Sequence, residues 1–291
     1  MSTTAPDTVA RRAGGPTRRR VLASELLKLR GLRSTIVLLL VALASIVLLG
    51  PINAVGQVVE DEPVHGVGDA LSLVLMGASN AAILLGVLGV LTATNEYAHA
   101  SVRVTFTAVP RRADVVLGKA LALTSALVPV VLLSVVIAWE AGRRILHHGG
   151  ADLGWTDPNV VRVLVATTWY VAGWALLGQS LGWLLRSAVG AASALLGVMF
   201  VLPVLTILIP GRAGDTVGQL MVSEAGAAML RTDEPGPGLD PMAGALIWTL
   251  YLGLAIRRAR LWATRRAPNR HYHLSMQLMP TLVVHPGHRS T

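Results

Sequence analysis

The chain alternates long apolar runs with short polar stretches, and the period of that alternation is the length of a membrane-crossing helix. Thr35 to Leu49 carries no charged residue, and the apolar stretch continues past Pro51 to Val55. Ala70 to Thr94 is also free of charge, with Asn80 as its strongly polar group. A third run extends from about Val116 to Trp139, with Lys119 near one end and Pro129 inside. A helix crossing a hydrocarbon layer about 30 Å thick needs about 20 apolar residues, so each run predicts one span.

Val163 to Pro210 is 48 residues long and contains one charge, Arg186. As a single helix it would rise about 72 Å, more than twice the thickness of the layer. The chain is therefore expected to turn back at Arg186 and Ser187, which gives a fourth and a fifth span. Met242 to Ile256 predicts a sixth, shorter span, lengthened by the snorkelling stems of Arg257 and Arg258. The expected fold class is an all-α integral membrane protein with six transmembrane helices, at about 35–55, 70–94, 116–139, 163–185, 188–210 and 242–258.

The flanking segments read differently. Residues 1–20 are rich in Ser, Thr, Pro, Gly and Arg and are expected to be a disordered basic tail. From Val21 to Arg33, Leu22, Leu26 and Leu29 fall on one helical face, as in an amphipathic helix lying in the membrane interface. A cleaved signal peptide is the rival reading, but a basic lead-in of 33 residues is too long and further spans follow. Residues 263–291 hold one apolar stretch, Met276 to Val284, too short to span, and are expected to form a tail.

Composition agrees with the pattern: 53% of residues are hydrophobic and 14% charged, against about 25% charged in soluble domains. The absence of cysteine removes disulfides, thiolate metal sites, cysteine nucleophiles and S-palmitoylation. The net charge of +9 is explained by placement. The N-terminal segment, the second-to-third connection, Arg186 and the C-terminal segment together hold 20 of the 25 basic residues. The opposite side has Arg143, Arg144, Arg162, Arg212 and Arg231 with 12 of the 16 acids. The positive-inside rule then puts both termini in the cytoplasm. The charge calls for no nucleic acid, and the basic tails favour anionic membrane lipid.

Candidate chemistry concentrates in the second-to-third connection, Asn95 to Asp114, which reads NEYAHASVRVTFTAVPRRAD. Val102, Phe106 and Val109 recur at helical spacing, so a short amphipathic helix is expected, either held by lipid headgroups or docked on a partner. Gly118 and Lys119 do not make a phosphate loop, because Ala113 and Ala120 stand where Walker A spacing needs Gly and Ser or Thr. Gly178 to Gly182 matches the Gly-x-Ser-x-Gly pattern around Ser180, which implies a serine hydrolase only on a strand-to-helix elbow with a reachable base. Here it lies inside a span, and no span contains a histidine. His271, His273 and His285 lack supporting acids, so no metal site is expected. Asn80 and Gln179 are candidates for a substrate pathway or for interhelical hydrogen bonds.

Three stretches resemble the permease subunits of ABC-2 type exporters, in which a membrane protein works with a separate ATP-binding protein. They are SELLKLRGLRST (Ser24 to Thr35), EYAHASVRVTFTAVPRRADVVLGKALAL (Glu96 to Leu123) and LMVSEAGAAML (Leu220 to Leu230). The first is similar to the family's interfacial helix, the second to its coupling loop, and the third to its short outer helix, with Ser223 and Glu224 where Ser-Asn is usual. The resemblance runs from residue 21 to about 262. It implies that Glu96, Tyr97, Arg103, Phe106, Pro110, Arg111 and Arg112 form the ATPase-coupling interface. It also implies that ATP and Mg are bound by the partner, that two permease copies pair in the plasma membrane, and that this chain has no catalytic residue. An intramembrane hydrolase using Ser180 and a non-transporting scaffold are the alternatives.

Overall fold

The apolar runs become helices, and glycines decide how closely those helices approach. The structure, a computed structural model, describes residues 33–98, 112–232 and 238–265; these are helical with connecting turns, and no strand occurs among the described residues. The helices are α1 (Arg33–Val59), α2 (Val67–Val74), α3 (Gly77–Ala98), α4 (Arg112–His148), α5 (Val160–Leu185) and α6 (Ala188–Leu196). A π-helical segment (Gly197–Val201) carries α6 into α7 (Leu202–Thr206), followed by α8 (Arg212–Gln219), α9 (Val222–Ala228) and α10 (Pro241–Arg265). The interfacial helix and the tail expected within 1–32 lie outside the described residues, as does the C-terminal segment beyond Arg265.

Five helical stretches are long and apolar enough to cross a membrane: Thr35–Val59, Gly77–Asn95, Val115–His148, Val160–Leu185 and Ala188–Thr206. The last is α6 to α7, continuous through the π segment. α10 is 25 residues long, but Arg257 and Arg258 end its charge-free stretch after Ile256.

The 48-residue apolar run is divided at Arg186 and Ser187. Arg186 takes a left-handed conformation (φ 54°) and its N–H donates to the Gly182 carbonyl, which closes α5. The Ser187 hydroxyl accepts from the Gly190 N–H at 3.2 Å and caps the start of α6. The stretch expected as one span over 70–94 is instead two helices, α2 and α3, meeting at Leu75 and Met76. Backbone approach to α1 explains the break. The Ser45 hydroxyl donates to the Gly77 carbonyl at 3.3 Å, and a Cβ on Gly77 or Gly50 would overlap the backbone of Ser45 or Val74.

At 37 residues α4 rises about 55 Å and outruns the hydrocarbon layer. Its far end is polar and tied down. Glu140 accepts two hydrogen bonds from Arg143 at 2.7 and 2.8 Å, one from Arg144, and one from the Trp155 indole at 3.1 Å.

The core is built around α5, which packs against α3, α4, α6 and α10. α3 and α5 run parallel, with Gly86 and Gly89 facing Gly178 and Gly182 so closely that a Cβ at Gly89 or Gly178 would overlap the backbone of the other helix. Lipid is as apolar as leucine, so such small residues, which let backbones touch, supply the packing attraction. Beside this seam Tyr170, Trp174 and Trp248 form a buried aromatic cluster with ring centroids 5.4 to 6.2 Å apart. Gly173 and Gly226 give the Trp248 ring its space.

Candidate functional site

The predicted site residues fall in three places. Glu96 and Tyr97 belong to the last turn of α3 and Arg112 opens α4, so the connection between them joins two long apolar helices. Arg103, Phe106, Pro110 and Arg111 lie outside the described residues.

Gln179 lies in the α3–α5 seam. It is 3% exposed, and its side-chain amide donates to the Thr92 hydroxyl at 3.3 Å. Thr92 in turn donates to the Gly89 carbonyl at 2.7 Å. Asn80 is exposed on α3, about 18 Å of helix rise from Thr92. The two candidate pathway residues are therefore not brought together. Ser180 is buried and donates to the Leu176 carbonyl at 2.8 Å. Its flanking glycines, Gly178 and Gly182, are spent on the approach to Gly86 and Val90, so the Gly-x-Ser-x-Gly pattern here is a helix-packing pattern.

The segment after α7 brings together residues that the sequence left apart. The Tyr251 hydroxyl donates to the Leu220 carbonyl at 2.8 Å, ten residues into α10. Arg162, near the start of α5, donates to the Met229 carbonyl at 2.9 Å and to the Arg231 carbonyl. α9 thus starts near the level of Trp174 and returns to the beginning of α5 as a re-entrant helix, where a guanidinium holds the carbonyls that follow its last turn. Arg162 carried no usable signal in the sequence, because its acceptors are backbone groups nearly 70 residues away.

Two cavities flank this element. One, of about 630 Å³, lies between α7, α8 and α9 and is edged by Asp215, Glu224 and Arg231, the last two 3.8 Å apart as an ion pair. The other, of about 320 Å³, is a mostly apolar cleft between α5, α6 and α10, with Trp174 and Val222 among its walls and Arg258 lining it. Among the described residues no group of three His, Asp or Glu side chains is placed to hold a metal ion. Compared with known proteins, the chain matches no family model and no curated protein.

Proposed function

We propose that the chain is the permease subunit of an ATP-driven exporter, moving a hydrophobic or amphipathic substrate outward with energy from a separate ATP-binding subunit. In this reading α10 is the sixth span, both termini are cytoplasmic, and two copies pair in the plasma membrane. The observation that carries it is the position of the Glu96-to-Arg112 stretch. The loop with the most specific resemblance connects two membrane-length helices, α3 and α4, at the end of the bundle where Arg186, Arg257 and Arg258 also lie. A force delivered to that loop would act directly on α3, which is locked to the central helix α5 by glycine packing. The re-entrant α9 supports the same reading, since it places a packed, capped element opposite the loop.

ATP and Mg belong to the partner in this account. This chain supplies the docking helix, with Phe106 as its apolar anchor and Arg103, Arg111 and Arg112 as charged contacts. Phe106→Ala is expected to cost about 2 kcal/mol of association, roughly thirtyfold in affinity. Pull-down of an ATP-binding subunit with Phe106→Ala and with Arg111→Glu, each at normal membrane levels, tests this. Undiminished binding by both variants refutes the coupling assignment and returns the loop to a lipid-anchoring role.

A further inference from the structure

The cleft between α5, α6 and α10 has a direction. One end is defined by Leu184 on α5 and Arg258 on α10, the other by Trp174, Val198 and Val222. Leu184 and Trp174 are ten residues apart on one helix, so the cleft follows α5 for about 15 Å, half the roughly 30 Å hydrocarbon thickness and hence one leaflet. Its walls are leucine, valine, alanine, tryptophan and Tyr251, and the hydroxyl hydrogens of Ser180 and Tyr251 are given to the Leu176 and Leu220 carbonyls. Leu254 and Arg258 stand exposed at its edge.

The charge at the leaflet-surface end is one-sided. Arg257, Arg258 and Arg260 crowd one turn of α10, and among the described residues none of them is in an ion pair with an acid. An apolar slot one leaflet deep with the Arg258 guanidinium at its mouth, and Arg257 and Arg260 on the same turn of helix, matches an amphiphile that has a hydrocarbon chain and an anionic head. Arginine is also well suited to phosphate, which it binds with paired, charge-assisted hydrogen bonds.

We propose that this cleft holds one acyl chain of an anionic phospholipid, with its phosphate on Arg258. Three cations on one turn favour a headgroup of net negative charge over a zwitterionic one. The bound lipid would fill the gap between the central helix and the rim helix α6, next to the π segment. The proposal requires only that the bundle sits in a bilayer, and it stands or falls separately from the exporter reading.

Trp174, the one of the seven tryptophans that lines the cleft, provides the readout as the part of the quenching that filling the cleft removes, because bromine atoms on an acyl chain quench tryptophan fluorescence only near contact. The intact protein would be placed in phosphatidylcholine vesicles containing rising fractions of mid-chain brominated phosphatidylglycerol, or of brominated phosphatidylcholine. The expected result is a saturable component of quenching seen with the anionic lipid at low mole fraction and not with the zwitterionic one. Arg258→Gln, at an exposed position, should raise the half-saturating mole fraction about fivefold. Ala255→Phe, which fills the cleft and leaves Arg258 in place, should abolish the component. Identical curves for the two lipids in the parent overturn the proposal, as expected if other residues of the chain or bulk lipid fill the cleft. A saturable component unchanged in Arg258→Gln overturns it equally.

Discussion

α5 and the α6–α7 segment come from one apolar run, separated only by Arg186 and Ser187, and they have opposite fates. α5 is buried along most of its length at the centre of the bundle, whereas little of α6–α7, at the rim, is buried. The rim segment is nevertheless the more apolar of the two by mean hydropathy. In a soluble protein the more apolar helix would be inside. Here both surroundings are apolar, so burial follows the residues that allow close contact and directional bonds. α5 has Gly173, Gly178 and Gly182 against neighbouring helices, together with Gln179, Tyr170 and Trp174. The rim has Val189, Phe200, Val201 and Val204 pointing outwards, and Gly197, beside which nothing lies within 4 Å.

The sharpest way to break this contrast is to add bulk on each side of it. Gly178→Leu forces a side chain into the Gly86 carbonyl, where only backbone could give way. It is expected to cost more than about 4 kcal/mol and to remove the folded, monodisperse protein from detergent extracts. Gly197→Ala meets nothing and gains helix propensity, so it should be neutral or stabilise by up to about 1 kcal/mol, read as an unchanged or slightly raised thermal midpoint. Equal tolerance at the two positions would mean that α5 is not the packing centre.

The fold-back at Arg186 was legible in the sequence because a charge interrupting 48 apolar residues has one cheap solution in a bilayer. The division of 70–94 into α2 and α3 was not. Leu75, Met76 and Gly77 carry no turn signal stronger than one glycine, and the break follows from how Gly77 meets Ser45 on another helix. The re-entrant α9 was legible only as a short helix over 220–230, since its depth is set by Tyr251 and Arg162 bonding to distant carbonyls. Of the candidate site, Gln179 could be recognised as a polar group in a span, but its partner Thr92 could not. Hydropathy locates spans and is silent on which of their faces meet.

A second, smaller break targets the aromatic cluster that ties α5 to α10. Trp248 is fully buried between Tyr170 and Trp174 and fits against Gly173 and Gly226. Trp248→Ala should leave a cavity joining α5, α9 and α10 and cost about 3 kcal/mol, read as a lowered unfolding midpoint in detergent. Because the re-entrant α9 rests on the same ring through Gly226, added protease should cut the 211–231 segment faster in this variant than in the parent. An unchanged cleavage rate would show that Arg162 and Tyr251 hold α9 without help from the cluster.

The smallest expected effect comes from the two polar side chains of the spans, one on each side of the buried-versus-exposed divide. Gln179 is enclosed and makes a single interhelical bond of 3.3 Å to a Thr92 hydroxyl that already donates to Gly89. Such bonds within membranes average about 0.6 kcal/mol, because a chain unfolded in lipid finds substitute partners. Gln179→Leu should therefore lower stability by about that amount and leave the proposed export activity unchanged. Asn80 is exposed and its side chain makes no hydrogen bond within the described residues. Asn80→Leu should leave the unfolding midpoint of the monomer in detergent where it was. If Asn80 faces a second copy or a passing solute, the same substitution changes association or the proposed export activity instead, whereas replacing an amide that meets only lipid would leave both unchanged. Measuring midpoint and transport for both variants separates a side chain that holds helices together from one that meets something outside the bundle. A transport defect in Gln179→Leu with an unshifted midpoint would move the pathway into the α3–α5 seam.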